Sequence, residues 1–168
     1  MSRLTILELK TDAMKFSAGH FMMHDATRRE TMHGHDYQVS VRLLTRIIQN
    51  GMSFDVRDFK KLVANLCKSL DYRFILPAQS DFIRLEETES HWLAKLQEES
   101  ISFLKRDAVV LPICNSTLEE LSHWFVQQLT QDQAALEQQH IEGLSITIGN
   151  GRGESATTAW GALTPACP

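Results

Sequence analysis

Two histidines that are two residues apart begin the part of this chain that is richest in possible chemistry. His33 and His35 flank Gly34 in the segment E-T-M-H-G-H-D-Y. Residues i and i+2 of a strand face the same side, so we expect the two imidazoles to lie side by side. His20 ends an earlier strand-like segment, F-S-A-G-H, which can pair with the first segment as a hairpin. Three imidazoles that converge in this way are the ligand set of a catalytic zinc ion with one open position.

An H-x-H pair alone is weak evidence for a metal site. Two solvated histidines at the start of a strand would give the same letters. The third histidine, His20, favours a metal site, and the nearby sequence has no cysteine of the kind that usually closes a structural zinc site. We therefore predict a zinc site with the ligands His20, His33 and His35.

The elements that must hold these histidines follow from the periodicity of apolar residues. Residues 37–43 alternate between apolar and polar side chains, which predicts a half-buried strand directly after the histidine pair. Apolar residues recur with helical spacing over 58–70, and a second helix is predicted to begin at N-S-T-L-E-E-L. Strands followed by helices and then by strands predict an α+β fold with a mainly antiparallel sheet.

The sequence leaves two structural details undecided. The capping box of the second helix is formed by Thr117 with Glu120 or by Ser116 with Glu119. The segment of about 84–105 is an insertion of uncertain structure, compatible with a hairpin or with a helix.

Length and composition limit the class of protein. The 168 residues suffice for a hydrophobic core, so we expect a single domain over 1–168. The net charge of −4 argues against nucleic-acid binding, and no apolar run approaches the roughly 20 residues of a membrane span. Cys67, Cys114 and Cys167 form neither a C-x-x-C motif nor a disulfide framework, which favours a location in the reducing cytoplasm.

An ordered set of motifs carries a resemblance over about residues 14–158. The segments are F-S-A-G-H, H-G-H-D-Y-Q-V-S-V, G-M-S-F-D-V-R-D-F-K-K-L-V, S-L-D-Y-R-F-I-L-P and N-S-T-L-E-E-L. In this order they resemble the 6-pyruvoyl-tetrahydropterin synthase superfamily, which includes the 6-carboxytetrahydropterin synthases. Each motif alone is common, but the ordered set is specific.

The resemblance implies a fold, a metal and a substrate class. The implied fold is the tunnelling fold (T-fold), a four-stranded antiparallel sheet with two helices on one face. Subunits of this fold assemble as homo-oligomeric barrels, usually hexamers made of two trimers. The resemblance also implies zinc on the three histidines. The implied substrate is a dihydropterin, typically 7,8-dihydroneopterin triphosphate, bound at a subunit interface.

The sequence departs from the family pattern at three functional positions. The usual catalytic cysteine is missing from the loop before H-G-H, which reads H-D-A-T-R-R-E-T. The supporting Asp–His pair is replaced by Asp71–Tyr72. The glutamate that anchors the pterin falls on Asn150, with Glu154 close in sequence.

Glu30 is the candidate that restores a catalytic interpretation. It gives the spacing E-x-x-H-G-H. This spacing resembles that of one branch of the family, which uses a glutamate in place of the cysteine. We interpret Glu30 as the general base, Asp71 as its support and Tyr72 as a candidate general acid. The alternatives are a solvated loop carboxylate for Glu30 and a packing role for Tyr72.

The candidate substrate contacts come from three motifs. Arg28 and Arg29 are candidates for binding the triphosphate, since guanidinium pairs well with phosphate, although a solvated basic pair is the alternative. Thr117 and Glu119 match the family motif T-x-E, although helix capping explains them without a substrate. Asn150 is the candidate pterin contact.

Two functions follow from this sequence. The first is a zinc-dependent pterin lyase, with 6-pyruvoyl-, 6-carboxy- or 6-hydroxymethyl-pterin as its product. The second is a non-catalytic or repurposed T-fold protein that keeps the zinc and the oligomer but has lost the usual cysteine, histidine and anchoring glutamate.

Overall fold

The computed structural model describes residues 3–48 and 50–164. The strands of these residues are β1 Arg3–Leu9, β2 Lys15–His20, β3 His33–Ile47, β4 Arg73–Pro77, β5 Arg84–Glu87, β6 His91–Leu96, β7 Glu99–Leu104, β8 Ala108–Leu111, β9 Ile141–Gly149 and β10 Ser155–Gly161. The helices are α1 Val56–Leu70, α2 Leu118–Leu129 and α3 Gln133–Gln138, and Lys105–Asp107 form a short 3-10 turn. Cys167, one of the three cysteines, lies outside the described residues.

The main sheet has seven strands in the order β10-β9-β3-β2-β4-β8, and β1 also pairs with β3. Both β1 and β2 lie antiparallel along the same edge of β3, where β1 pairs with residues 41–47 and β2 with residues 33–38. The broken strand β1/β2, β3, β9 and β10 thus form four antiparallel positions, and the resemblance implied an antiparallel sheet of four strands.

The main sheet has more than the four strands that the resemblance implied, because β4 and β8 extend it in parallel from β2. The observed sheet is therefore mixed and not purely antiparallel. The two extra strands read R-F-I-L-P and A-V-V-L. Short apolar runs of this kind have no period-two alternation, so the pattern that predicts a half-buried strand could not find them.

Both predicted helices pack against one face of this sheet. α1 extends over the predicted 58–70 and begins two residues earlier, where Asp55 caps it. α2 is capped by Thr117, whose hydroxyl accepts a hydrogen bond from the Glu120 backbone N–H at 3.3 Å. The inward residues of the two helices share one core with alternate residues of the strands, including Phe59, Val63, Leu121, Phe125, Tyr37, Val39, Val41 and Leu144. No helix within the described residues is long and apolar enough to cross a membrane.

The segment of about 84–105, whose structure the sequence left undecided, forms a small antiparallel sheet, β5-β6-β7. We call it the insertion sheet. It has its own cluster of buried side chains, in which Ala94 and Leu96 meet Phe21 and Met23. Since Phe21 and Met23 directly follow β2, the insertion sheet covers the loop that joins the two histidine strands. The prediction of a single domain over 1–168 stays a prediction.

Candidate metal centre and pocket

The three histidines meet because of the register between β2 and β3. His20 and His33 are direct cross-strand partners, and Ala18 pairs with His35. His33 and His35 point to the same side, as the period of two requires. The candidate ligand atoms of the three side chains all lie within 4.8 Å of one another. The hairpin that the sequence predicted thus brings these three side chains together.

Backbone carbonyls fix the tautomers of two of these rings. The Nδ1 atom of His20 lies 2.8 Å from the carbonyl oxygen of Ser116, and Nδ1 of His33 lies 2.8 Å from that of Thr31. A carbonyl oxygen only accepts, so both Nδ1 atoms carry the proton and donate. This leaves the Nε2 lone pair of each ring free for a metal, which is the usual arrangement around metal-binding histidines.

The free nitrogens have the positions that metal ligands need. Nε2 of His33 and Nε2 of His35 are 3.1 Å apart. Two nitrogens at 2.0–2.1 Å from one tetrahedral zinc ion are separated by about 3.3 Å. Among the described residues, Nε2 of His20 and Nδ1 of His35 are buried without a hydrogen-bond partner. Unpaired buried nitrogens are costly, and a cation bound between the three rings would account for that of His20.

The surroundings also favour the protonation state that binds metal. Burial lowers the pKa of His20 below 6.5, and the neighbouring His33 and His35 lower it further. Burial likewise lowers the pKa of His35, with His33 as the next cause. Near neutral pH these two rings are therefore uncharged, as a metal ligand must be. Tyr37 lies edge-on to His35 at 5.7 Å between ring centroids, and burial raises the pKa of its hydroxyl.

The histidines line one end of a pocket of about 660 Å³, which also contains Glu30. One carboxylate oxygen of Glu30 lies 3.9 Å from Nε2 of His33 and accepts a hydrogen bond of 3.3 Å from the backbone N–H of Met22. The side chain of Glu30 is about a quarter exposed, at 26%. The predicted base therefore lies beside the predicted metal ligands.

The predicted substrate contacts Thr117, Glu119 and Asn150 line the same pocket. Asn150 is buried, and its side-chain amide donates a hydrogen bond of 2.5 Å to the carboxylate of Glu154. The amide oxygen of Asn150 accepts a hydrogen bond from the backbone N–H of Arg152 at 3.0 Å. The pocket therefore has a histidine end and a loop end, and Glu154 supplies a carboxylate at the loop end.

The two predicted arginines do not line this pocket. Arg28 pairs with Asp25, with a distance of 2.7 Å from its Nε to the carboxylate. Arg29 pairs with Glu99 of the insertion sheet at 3.0 Å. Both guanidinium groups are therefore engaged by carboxylates, one within the loop and one in the insertion sheet.

Asp71 and Tyr72 also lie outside the histidine pocket. Asp71 accepts a hydrogen bond of 2.8 Å from the backbone N–H of Ser17. Tyr72 is 86% exposed and has a φ of 57°, a left-handed conformation that is unusual for a large side chain. With Asp36, these residues border a separate groove. The catalytic roles of Asp71 and Tyr72 stay predictions, because the motif carried no information on the direction of the side chains.

Two residues that support the site were not singled out as such. Ser116 donates its hydroxyl to the carbonyl of Phe21 at 2.6 Å and uses its own carbonyl to hold His20. The side chain of Asn115 binds both the N–H and the C=O of Met23, at 3.1 and 2.8 Å. The motif N-S-T was interpreted as a helix cap, and these partners lie more than ninety positions away in sequence.

Comparison with known proteins gives a consistent set of relatives. The sequence model of the family described as 6-pyruvoyl tetrahydropterin synthase matches residues 10–159. Among curated proteins, the chain is 27% identical over 144 residues to a protein of Methanocaldococcus jannaschii that is provisionally named 6-carboxy-5,6,7,8-tetrahydropterin synthase. That match covers 85% of this chain and 88% of the relative.

Solved structures of similar proteins come from malaria parasites. The 6-pyruvoyl tetrahydropterin synthase of Plasmodium vivax is 30% identical, with a TM-score of 0.88 over 95% of this chain and 99% of the other. The Plasmodium falciparum protein of the same name is 27% identical, with a TM-score of 0.87 over 94% and 98% of the two chains. Two further P. vivax structures replace a glutamate, described as a catalytic residue, by alanine and by cysteine.

Proposed function

We propose, because this chain belongs to the 6-pyruvoyl tetrahydropterin synthase family, that it is a zinc-dependent lyase of 7,8-dihydroneopterin triphosphate or a related dihydropterin. The observation that carries the proposal is the cluster of three imidazoles beside the carboxylate of Glu30, at one end of a pocket of about 660 Å³. The pocket is large enough for a bicyclic pterin with a three-carbon side chain.

The residues that would hold the metal are His20, His33 and His35. Zinc bound there would polarise the hydroxyl groups of the substrate side chain and lower their pKa. The carbonyl groups of Ser116 and Thr31 hold two of the imidazoles in the tautomer that presents Nε2 to the pocket. These carbonyls therefore prepare the ligand set before any metal arrives.

Glu30 is proposed as the general base. Its carboxylate lies 3.9 Å from Nε2 of His33, so it faces the same end of the pocket as the metal ligands. In this role it removes a proton from the substrate side chain, and cleavage of a carbon–oxygen or carbon–carbon bond follows. The P. vivax structures in which a catalytic glutamate is replaced support a glutamate in this role within the family.

The loop end of the pocket is proposed to bind the pterin ring. The amide of Asn150 holds one oxygen of the Glu154 carboxylate, and the other oxygen is available to accept hydrogen bonds from ring N–H groups. Glu154 would in this way supply the negative charge that Asn150 lacks. Thr117 and Glu119 are proposed as further contacts at this pocket.

Assembly would give the remaining predicted residues their role. We propose a homo-oligomer, in the form of a hexamer of two trimers, in which the exposed Tyr72 and its neighbour Asp71 face another subunit. A phosphate contact of Arg28 or Arg29 would have to compete with Asp25 and Glu99. We also propose a cytoplasmic location, because neither Cys67 nor Cys114 forms a disulfide bond.

Turnover of dihydroneopterin triphosphate, with and without a zinc chelator, tests the proposal. We expect turnover that the chelator abolishes and that added zinc restores. Glu30→Gln keeps the size of the side chain but removes its basicity, so kcat should fall by about 10²–10³-fold while the zinc content is unchanged. Glu98→Gln, an exposed carboxylate of the insertion sheet region, is the matched control. Loss of zinc in Glu30→Gln would contradict the assignment of this residue as a base.

A repurposed T-fold protein is the second candidate. The observation that favours it is the position of Tyr72, which is exposed and lies outside the histidine pocket of its own subunit. This candidate requires bound zinc and assembly but no turnover of any dihydropterin. The same assay therefore separates the two functions.

A further inference from the structure

The insertion sheet has no residue in the histidine pocket, among the residues that the structure describes, yet it contacts the loop that carries Glu30. This loop, residues 21–32, joins the two histidine strands. It contains only one isolated backbone bridge, between Met23 and Arg29, and therefore little regular structure of its own. Contacts with the insertion sheet therefore add to the bonds that Asn115 and Ser116 make with Met23 and Phe21 at the start of the loop.

Arg29 makes three contacts, one with the insertion sheet and two within the loop. Its Nε donates to the carboxylate of Glu99 at 3.0 Å, and Nη1 donates to the backbone carbonyl of Glu30 at 2.9 Å. The guanidinium carbon lies 5.6 Å from the ring centroid of Phe21. The planar fork of arginine makes all three contacts at once, which an ammonium group on a lysine stem does not reproduce.

A row of aromatic rings supports the loop beneath Arg29. Phe21, which is 1% exposed, packs against Phe74 at 5.9 Å between ring centroids. Phe74 in turn stacks on Phe103 of β7 at 4.6 Å. The start of the loop is therefore held by the insertion sheet through apolar contacts, and its end is held through the ion pair of Arg29 and Glu99.

The backbone of Glu30 is consequently fixed on both sides. Its N–H donates to the carbonyl of Met22 at 2.9 Å, and its carbonyl accepts from Arg29. We propose that Glu99 is a positioning residue, which holds Arg29 and through it sets the backbone, and hence the carboxylate, of Glu30. We call the contacts of Glu99, Arg29 and Phe21 the insertion clamp. The part of this inference that concerns catalysis rests on the proposed function.

A matched pair of variants tests the insertion clamp. Glu99→Gln removes the charge that holds Arg29. Glu87→Gln is the control, because Glu87 pairs with Lys105 at 2.6 Å, and Lys105 lies 5.6 Å from the ring centroid of Trp92. Glu99 and Glu87 are equally exposed, at 61% and 59%, so the two substitutions differ in whether the partner belongs to the loop.

Hydrogen exchange of the peptide that covers 21–32, followed by mass spectrometry on the full chain, is the first measurement. We expect exchange about threefold faster or more in Glu99→Gln and unchanged exchange in Glu87→Gln. Arg29→Lys should exchange faster than wild type, because lysine cannot hold Glu99 and the Glu30 carbonyl together. Equal exchange in Glu99→Gln and wild type would overturn the insertion clamp.

Steady-state kinetics with dihydroneopterin triphosphate is the second measurement. The insertion clamp predicts a kcat that is about threefold lower or more in Glu99→Gln, with KM and zinc content unchanged. Faster exchange with an unaltered kcat would overturn the positioning role. Should the wild type bind zinc but show no turnover, the proposed lyase function fails, and the exchange comparison still decides for or against the insertion clamp.

Discussion

The two ends of the pocket hold their polar groups by different means. At the histidine end, His20 and His33 stand opposite each other on paired strands, so the backbone ladder sets their distance. At the loop end, Asn150 and Glu154 follow β9 and hold each other through a hydrogen bond between side chains. The histidine end is therefore built into the sheet, whereas the loop end depends on a few residues after a strand.

Because of this difference, we expect substitutions at the two ends of the pocket to have different effects. A change at the histidine end alters the core of the sheet or removes a ligand that no neighbour can replace. A change at the loop end alters one side-chain contact and leaves the ladder intact. We therefore expect large effects on metal and stability at the first end and moderate effects on substrate binding at the second.

His33→Ala is expected to have the largest effect. It removes one of three candidate ligands, so zinc affinity should fall by more than about 100-fold and turnover should disappear. Metal analysis by mass spectrometry measures this, with His123→Ala on α2 as the control, because His123 bonds to Gln127 and does not line the pocket. Full zinc content in His33→Ala would refute the predicted ligand set.

Gly19→Ala tests how closely β2, the strand that carries His20, is packed on the face opposite the imidazole. A Cβ at this position would lie 2.6 Å from Cδ2 of Phe74, whose ring is held by Phe21 and Phe103. We expect the free energy of unfolding to fall by about 2 kcal/mol, measured by urea denaturation. Gly149→Ala is the comparison at the loop end, where the nearest atom would be 3.4 Å away. An equal loss in both variants would show that β2 is packed no more closely than the loop end.

Glu154→Gln tests the loop end. The substitution keeps the shape of the side chain but removes its charge, so KM for dihydroneopterin triphosphate should rise about fivefold while kcat and zinc content change little. An unchanged KM would show that Glu154 does not contact the substrate. A loss of zinc would show that the two ends are coupled.

Acid is expected to weaken the metal-free protein through the histidine end. The pKa of His20 and that of His35 are lowered below 6.5 by burial, so the unfolded chain binds more protons than the folded chain below that pH. The stabilisation is therefore complete above pH 6.5 and is lost as the pH falls below it. Thermal unfolding of chelator-treated protein at several pH values should show a lower Tm under acid conditions. His20→Gln should flatten this dependence, and an identical profile in wild type and variant would contradict the prediction.

The histidine end was predictable because its geometry is local. A period of two places His33 and His35 on one face, and pairing of two adjacent strands adds His20. The apolar spacing over 58–70 likewise predicted α1, because a helix repeats within a few residues. In each case the pattern and the structure share the same short period.

The remaining features depend on contacts between distant parts of the chain. Asn115 holds Met23 across 92 positions, and Glu99 holds Arg29 across 70 positions. A single sequence carries no record of such pairs. The segment 84–105 was undecided for a related reason, since β6 has buried residues only where it meets Phe21 and Met23.

The break between β1 and β2 leaves the two strands with different free edges. β2, which carries His20, lies between β3 and β4 and is enclosed on both edges. Within the described part of the chain, β1 pairs with β3 alone, so its other edge is free. Because residues 10–14 interrupt the strand, a new strand added at the free edge of β1 would pair with β1 and would not extend along β2. The sheet can therefore gain a neighbour at β1 while both edges of β2, the strand that carries His20, stay paired.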